Sequence, residues 1–172
     1  MLRDDLLAEL AALPYAGRMR RMVEVGRIAE AGSVAVLAEL RRGNGYERRL
    51  ALQAAWGSRD SAVAAEGLAD PSRLARGMAR DIGATLCSDA QLVAAVDGSP
   101  LSARRSLLAR MRRRGRRDAI DTVLQAFADR GDPGFGRFLA YGSRTFVARH
   151  LPDAARAVGD LDWRALHLPD TT

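Results

Sequence analysis

Residues 99–133 read SPLSARRSLLARMRRRGRRDAIDTVLQAFADRGDP. Leu107, Leu108 and Met111 fall on one helical stripe, and Ile120, Val123, Leu124 and Phe127 fall on another. Gly115 stands between them, so the stretch predicts two helices joined by a glycine turn, each with one apolar face for a neighbour. Ser99-Pro100 opens the pair and Asp132-Pro133 follows it, and a third such dipeptide, Asp70-Pro71, lies upstream. An acid or serine before proline suits a helix start, with a side-chain acceptor at the N-cap and a preset φ at the first helical position. The near-regular recurrence of this punctuation predicts a series of helical pairs.

The rest of the chain carries the same pattern with smaller residues. A first helix is expected near residues 3–13, ending at Leu13-Pro14, and the next from Ala16 to Ala31 with Met19, Val23 and Gly26 on one face. Gly32-Ser33 is read as a stop followed by a cap for Val34 to Arg42, and Gly43-Asn44-Gly45 as a turn. A further pair is expected over Tyr46 to Ala69, turning near Gly57-Ser58 with Leu50, Ala54 and Trp56 inward. Leu74, Met78 and Ile82 mark the next helix, and Ser88-Asp89-Ala90-Gln91 reads as a capping box. Beyond Gly131, short segments are expected over Pro133 to Tyr141, Ser143 to His150 and Pro152 to Val158.

Composition agrees with an all-α class. Of 172 residues 48% are hydrophobic but only 5% aromatic, which favours closely packed Ala- and Leu-rich helices over strands. The expected organisation is a single domain over residues 1–172: a cap helix in 1–15, hairpins over 16–158 and a tail over 159–172. No apolar run has the length of a signal peptide or a membrane span, so a soluble, cytoplasmic protein without membrane contact is expected. The single Cys87, beside Leu86, has no internal disulfide partner and reads as a buried thiol.

Ala- and Leu-rich pairs of this length, with proline at the start of the first helix, resemble the HEAT-like helical repeats of bacterial proteins. Asp70-Pro71 with Arg76, and Ser99-Pro100 with Arg105, carry the likeness of an early proline and a mid-helix arginine, and it covers Ala16 to His150. The resemblance implies an α-solenoid of about five antiparallel helical hairpins, a scaffold whose ridges and grooves bind macromolecules.

All 27 basic residues are arginine, and lysine is absent. A GC-rich genome explains this, as does selection for the planar guanidinium fork. Eight arginines, Arg104, Arg105, Arg110, Arg112, Arg113, Arg114, Arg116 and Arg117, crowd into fourteen residues. Residues 1–99 hold 13 arginines and 13 acids, whereas residues 100–172 hold 14 and 8, so the net charge of +6 lies wholly in the second part. On a helix most of these arginines wrap the exposed face, forming a basic ridge of Arg105, Arg110, Arg112, Arg113, Arg114, Arg116 and Arg117. Arg104 instead falls on the apolar stripe and calls for a carboxylate such as Asp97 or Asp121.

Two readings of the ridge stand side by side. It is a solvated face whose arginines pair with Asp118, Asp121 and Asp129, or it recognises an anion, either an acidic protein patch or nucleic-acid phosphates. Interleaved aromatics, a helix-turn-helix and zinc-ligand spacing are missing, which argues against base reading. No nucleophile elbow, P-loop or dinucleotide fingerprint is present, and His150 and His167 lack metal-ligand spacing, so no metal or cofactor is expected. Bacterial alkylpurine DNA glycosylases are built from HEAT-like repeats and use an aromatic, an acid and arginines; Trp56, Asp60 and Arg59 offer those types here. The expected function is a non-catalytic binding or scaffold module for an acidic protein partner. The alternative is a nucleic-acid-binding protein related to those glycosylases.

Overall fold

The computed structural model describes residues 2–28, 30–97, 99–132 and 135–158. Among them there are eleven α-helices and no strand. The chain divides into two compact units, Met1–Ser88 and Asp89–Thr172.

The first unit holds α1 (Arg3–Ala11), α2 (Tyr15–Ile28), α3 (Ala31–Arg42), α4 (Gly45–Ser58), α5 (Ser61–Gly67) and α6 (Arg73–Leu86). Helix α4 lies between α2 and α6, and α3 and α5 also pack against it. Leu6, Leu10, Met22, Val25, Val36, Leu40, Leu50 and Ala54 form a continuous core. The α2–α4 crossing is close enough to exclude side chains: a Cβ on Gly26 would lie 1.9 Å from the Ala54 carbonyl oxygen, and one on Gly57 would lie 2.1 Å from that of Val23. Two glycines, one from each helix, therefore set this approach.

The second unit holds α7 (Asp89–Asp97), α8 (Leu101–Arg113), α9 (Arg117–Asp129), α10 (Phe135–Phe138), a 3-10 turn at Leu139–Tyr141, and α11 (Arg144–Val158). Helices α7, α8 and α9 pack against one another, and α10 bridges α9 and α11. Leu107, Leu108 and Met111 of α8 and Ile120, Val123, Leu124 and Phe127 of α9 are all buried, as their spacing predicts. Cys87, at the end of the first unit, is also buried.

Several boundaries differ from the sequence reading, each for a local reason. Neither Asp70 nor Ser99 caps the helix that follows it with its own side chain. Asp70 is followed by Ser72, whose hydroxyl accepts from Ala75 N and caps α6, leaving the Asp70 carboxylate free to accept from the Ser72 amide at 2.6 Å. Pro100 itself is the N-cap of α8, and the Ser99 hydroxyl turns back to donate to the Ala95 carbonyl at 2.7 Å. Asp132 belongs to the end of α9, its amide donating to Phe127 O at 3.0 Å around Gly131. Upstream, α3 begins at Ala31 with Glu30 as its N-cap, so Gly32 and Ser33 lie inside the helix rather than before it. Asn44, read as part of a turn, caps α4 by accepting from the amides of Tyr46 and Glu47.

In α6 the buried face is Ala75, Ala79, Ile82 and Gly83, while Leu74 is 64% exposed. The helix turns its small residues inward, where a close neighbour leaves no room for leucine. Helix α11 runs through Pro152 instead of breaking there; proline removes one backbone donor, and the flanking residues keep the helical path. The tail expected over residues 159–172, with Trp163 and His167, lies outside the described residues.

Candidate functional site

The arginine cluster occupies α8, the turn after it, and the first residue of α9. The turn closes by two backbone bonds, Gly115 N to Arg112 O and Arg116 N to Met111 O, both 3.0 Å, with Gly115 at φ +70°. This is the helix-ending arrangement in which a left-handed residue lets the last carbonyls be satisfied. Its consequence is an apex built from Arg112, Arg113, Arg114, Arg116 and Arg117 around one glycine.

These arginines divide into those with partners and those without. Arg104 is bound into the unit: Nη1 donates to Asp132 Oδ2 at 2.5 Å, Nε donates to Ser99 O at 2.9 Å, and the guanidinium lies 5.0 Å from the Phe127 ring centroid. Its partner is thus Asp132 rather than Asp121, and the Asp97 side chain lies outside the described residues. Arg116 donates to Asp89 Oδ1 at 2.7 Å, and Arg110 donates to the Ser106 hydroxyl on its own helix. Arg105, Arg112, Arg113, Arg114 and Arg117 are exposed and form no ion pair with any described residue.

The carboxylates read as partners for the ridge serve elsewhere. Asp121 Oδ1 accepts from the Ser143 amide at 2.8 Å, Asp129 Oδ1 accepts from Gln125 Nε2 at 2.7 Å, and neither they nor Asp118 pair with a described arginine. Arg110, Arg112 and Arg113 stand in the last turn of α8, where the helix dipole favours cations. Arg116 and Arg117 open α9, where the dipole opposes them, so the two helix ends offset one another at the apex and its positive charge comes from the side chains. Like charges gathered without counter-charge raise the free energy of the isolated protein and lower it again when an anion arrives.

Arginine is used differently in the first unit. Arg48 Nε donates to Asp70 Oδ2 at 2.7 Å and Nη2 to Oδ1 at 3.1 Å, while Asp70 is buried at 8% exposure. Burial pushes the Asp70 carboxyl up, but the Arg48 fork and the Ser72 amide outweigh it and hold the group below the usual carboxylate range. The same acid raises the Arg48 guanidinium. Nearby, buried Glu47 takes both oxygens to Arg3 Nη2 at 2.9 Å.

A recurrence emerges here that proline spacing concealed. Arg18, Arg48, Arg76 and Arg104 are each the fourth residue of their helix, and each donates back to the carbonyl five residues earlier, Leu13, Gly43, Pro71 and Ser99. Their spacings are 30, 28 and 28 residues. Arg104, and not Arg105, is therefore the counterpart of Arg76. The signal was present in the sequence as an arginine four to five residues after each link, but it was hidden among other arginines.

Trp56, Arg59 and Asp60 lie at the junction of α4 and α5, where Arg59 and Asp60 have local structural partners. Arg59, at φ +60°, ends α4 with its guanidinium 5.7 Å from the half-buried Trp56 ring, and Asp60 Oδ1 caps α5 by accepting from Ala62 N and Val63 N. Among the described residues no group of histidine, cysteine and carboxylates is placed to hold a metal ion, and no helix is long and apolar enough to cross a membrane. Protein-family models, curated proteins and solved structures offer no match to this chain.

Proposed function

We propose that this protein is a non-catalytic helical-repeat module, a HEAT-like α-solenoid, that binds an acidic protein surface through the ridge of Arg105, Arg112, Arg113, Arg114 and Arg117, flanked by Arg110 and Arg116. The observation that carries the reading is the set of five exposed guanidinium groups without carboxylate partners among the described residues, in a protein that neutralises Arg3, Arg48, Arg104 and Arg116 with acids. Guanidinium forks bind carboxylates bidentately, and exposed ones are free to do so at little desolvation cost. The recurring fourth-residue arginines and the placing of α4 between α2 and α6 support the repeat reading.

The test is competition between two polyanions. Fluorescently labelled polyglutamate is bound at low salt, and unlabelled polyglutamate or single-stranded DNA is added. Retention of the acidic polypeptide against an equal charge concentration of DNA supports a protein partner. Complete displacement by DNA, with a steep salt dependence, moves the ridge to nucleic acid, for which the same unpaired guanidinium groups are suited.

A further inference from the structure

The ridge contains one ordered row. Leu101, Arg105 and Arg112 are all exposed, and on a helix they fall within about 40° of one another. Leu101 keeps 46% of its surface in water, an apolar group at the end of a charged line. Ser102 and Ala109 lie beside the row, small enough for another backbone to come near. Resting on the protein-partner reading above, we infer that the element docking on α8 is an antiparallel α-helix with two carboxylates one heptad apart, over Arg112 and Arg105, followed four residues later by an apolar side chain over Leu101.

Spacing selects a helix. Arg105 and Arg112 are about 10.5 Å apart along the axis, which is the separation of residues seven apart on any α-helix. An extended peptide places side chains of one face about 6.6 or 13 Å apart, and neither matches. A nucleic-acid strand, charged at every ~3.4 Å, meets the two arginines but has nothing apolar to cover Leu101 in the same row.

Charge selects the direction. The arginine-rich end of α8 is its C-terminal turn, with Arg110, Arg112 and Arg113. Acids are favoured at the N-terminus of their own helix, so an antiparallel partner brings its stable acidic end to Arg112 and opposes its dipole to that of α8. A parallel helix would carry its acids at the end where they are disfavoured.

The experiment uses the full chain and labelled alanine-based helical peptides. One carries two glutamates seven residues apart and a leucine four residues after the second. A second has the same composition with the order reversed, and a third has the glutamates on opposite faces. Anisotropy titrations at low salt are expected to show the first binding about tenfold tighter than either control, a difference of about 1.4 kcal/mol. Leu101→Ala and Arg105→Ala, both at exposed positions, are expected to erase that preference. Equal binding of the three peptides would overturn the helix inference while leaving an acidic protein partner in place. Binding of an oligothymidylate with none of any peptide would overturn both.

Discussion

At Asp70, a buried carboxylate accepts both arms of the Arg48 fork, and the Gly43 carbonyl accepts a further bond from the same guanidinium; at the α8–α9 turn, Arg112, Arg113, Arg114 and Arg117 are exposed and form no ion pair with any described residue. Both regions use the same side chain, and arginine alone supplies the basic charge of this protein. The difference lies in counter-charge and depth. Where an acid is placed opposite and the site is closed, the guanidinium orders a link between helices. Where no described acid stands opposite, as at Arg112, Arg113, Arg114 and Arg117, the guanidinium stays exposed and orders no link between helices. An arginine-only composition therefore says little by itself; the partner of each arginine assigns its work.

The comparison can be broken most severely beneath it, at the α2–α4 crossing that holds α4, and with it Arg48, in place. Gly26→Ala puts a methyl group against a backbone oxygen and is expected to destabilise by about 3 kcal/mol, read as a fall in the urea midpoint. At the corner itself, Asp70→Asn leaves Arg48 half-buried without its charge partner, and an expected loss of about 2 kcal/mol follows, because Arg48 retains some solvent.

The same variant sharpens the comparison through pH. Asp70 has a lowered pKa in the folded protein, so its ionised form contributes stability above the unfolded value and that contribution disappears as pH falls through the folded value. The gap in stability between wild type and Asp70→Asn is therefore expected to be full at about pH 6 and to shrink below about pH 4. A gap that does not change with pH would mean that the pair acts by shape alone. The smallest effect belongs to the ridge: Arg112→Ala, Arg113→Ala and Arg114→Ala combined are expected to leave stability within about 0.5 kcal/mol of wild type.

What could be read from the sequence follows the size of the side chains involved. The α8 and α9 stripes were legible because leucine, methionine and phenylalanine report their face by hydropathy. In α6 Ile82 faces inward as its hydropathy suggests, but its inward neighbours Ala75, Ala79 and Gly83 carry no such signal, and Leu74 misled because it is large and exposed. The arginine ridge was legible as a charge run, but its division was not. Asp89 and Asp132 lie 27 and 28 residues from Arg116 and Arg104, and only the folded chain brings them together. The proline pairs at Asp70 and Ser99 stand at links between helices yet misassigned the caps, since Asp70 is drawn into an ion pair with Arg48 of another helix and the Ser99 hydroxyl turns back to the Ala95 carbonyl.

The most direct measurement is equilibrium urea unfolding of Arg48→Ala beside the Arg112, Arg113, Arg114 triple-alanine variant, each followed by helical circular dichroism. The midpoint is expected to fall for Arg48→Ala and to stay at the wild-type value for the triple variant, even though three charges have been removed. A triple variant that unfolds as early as Arg48→Ala would contradict the account, because the ridge would then be holding the fold together and not waiting for a partner.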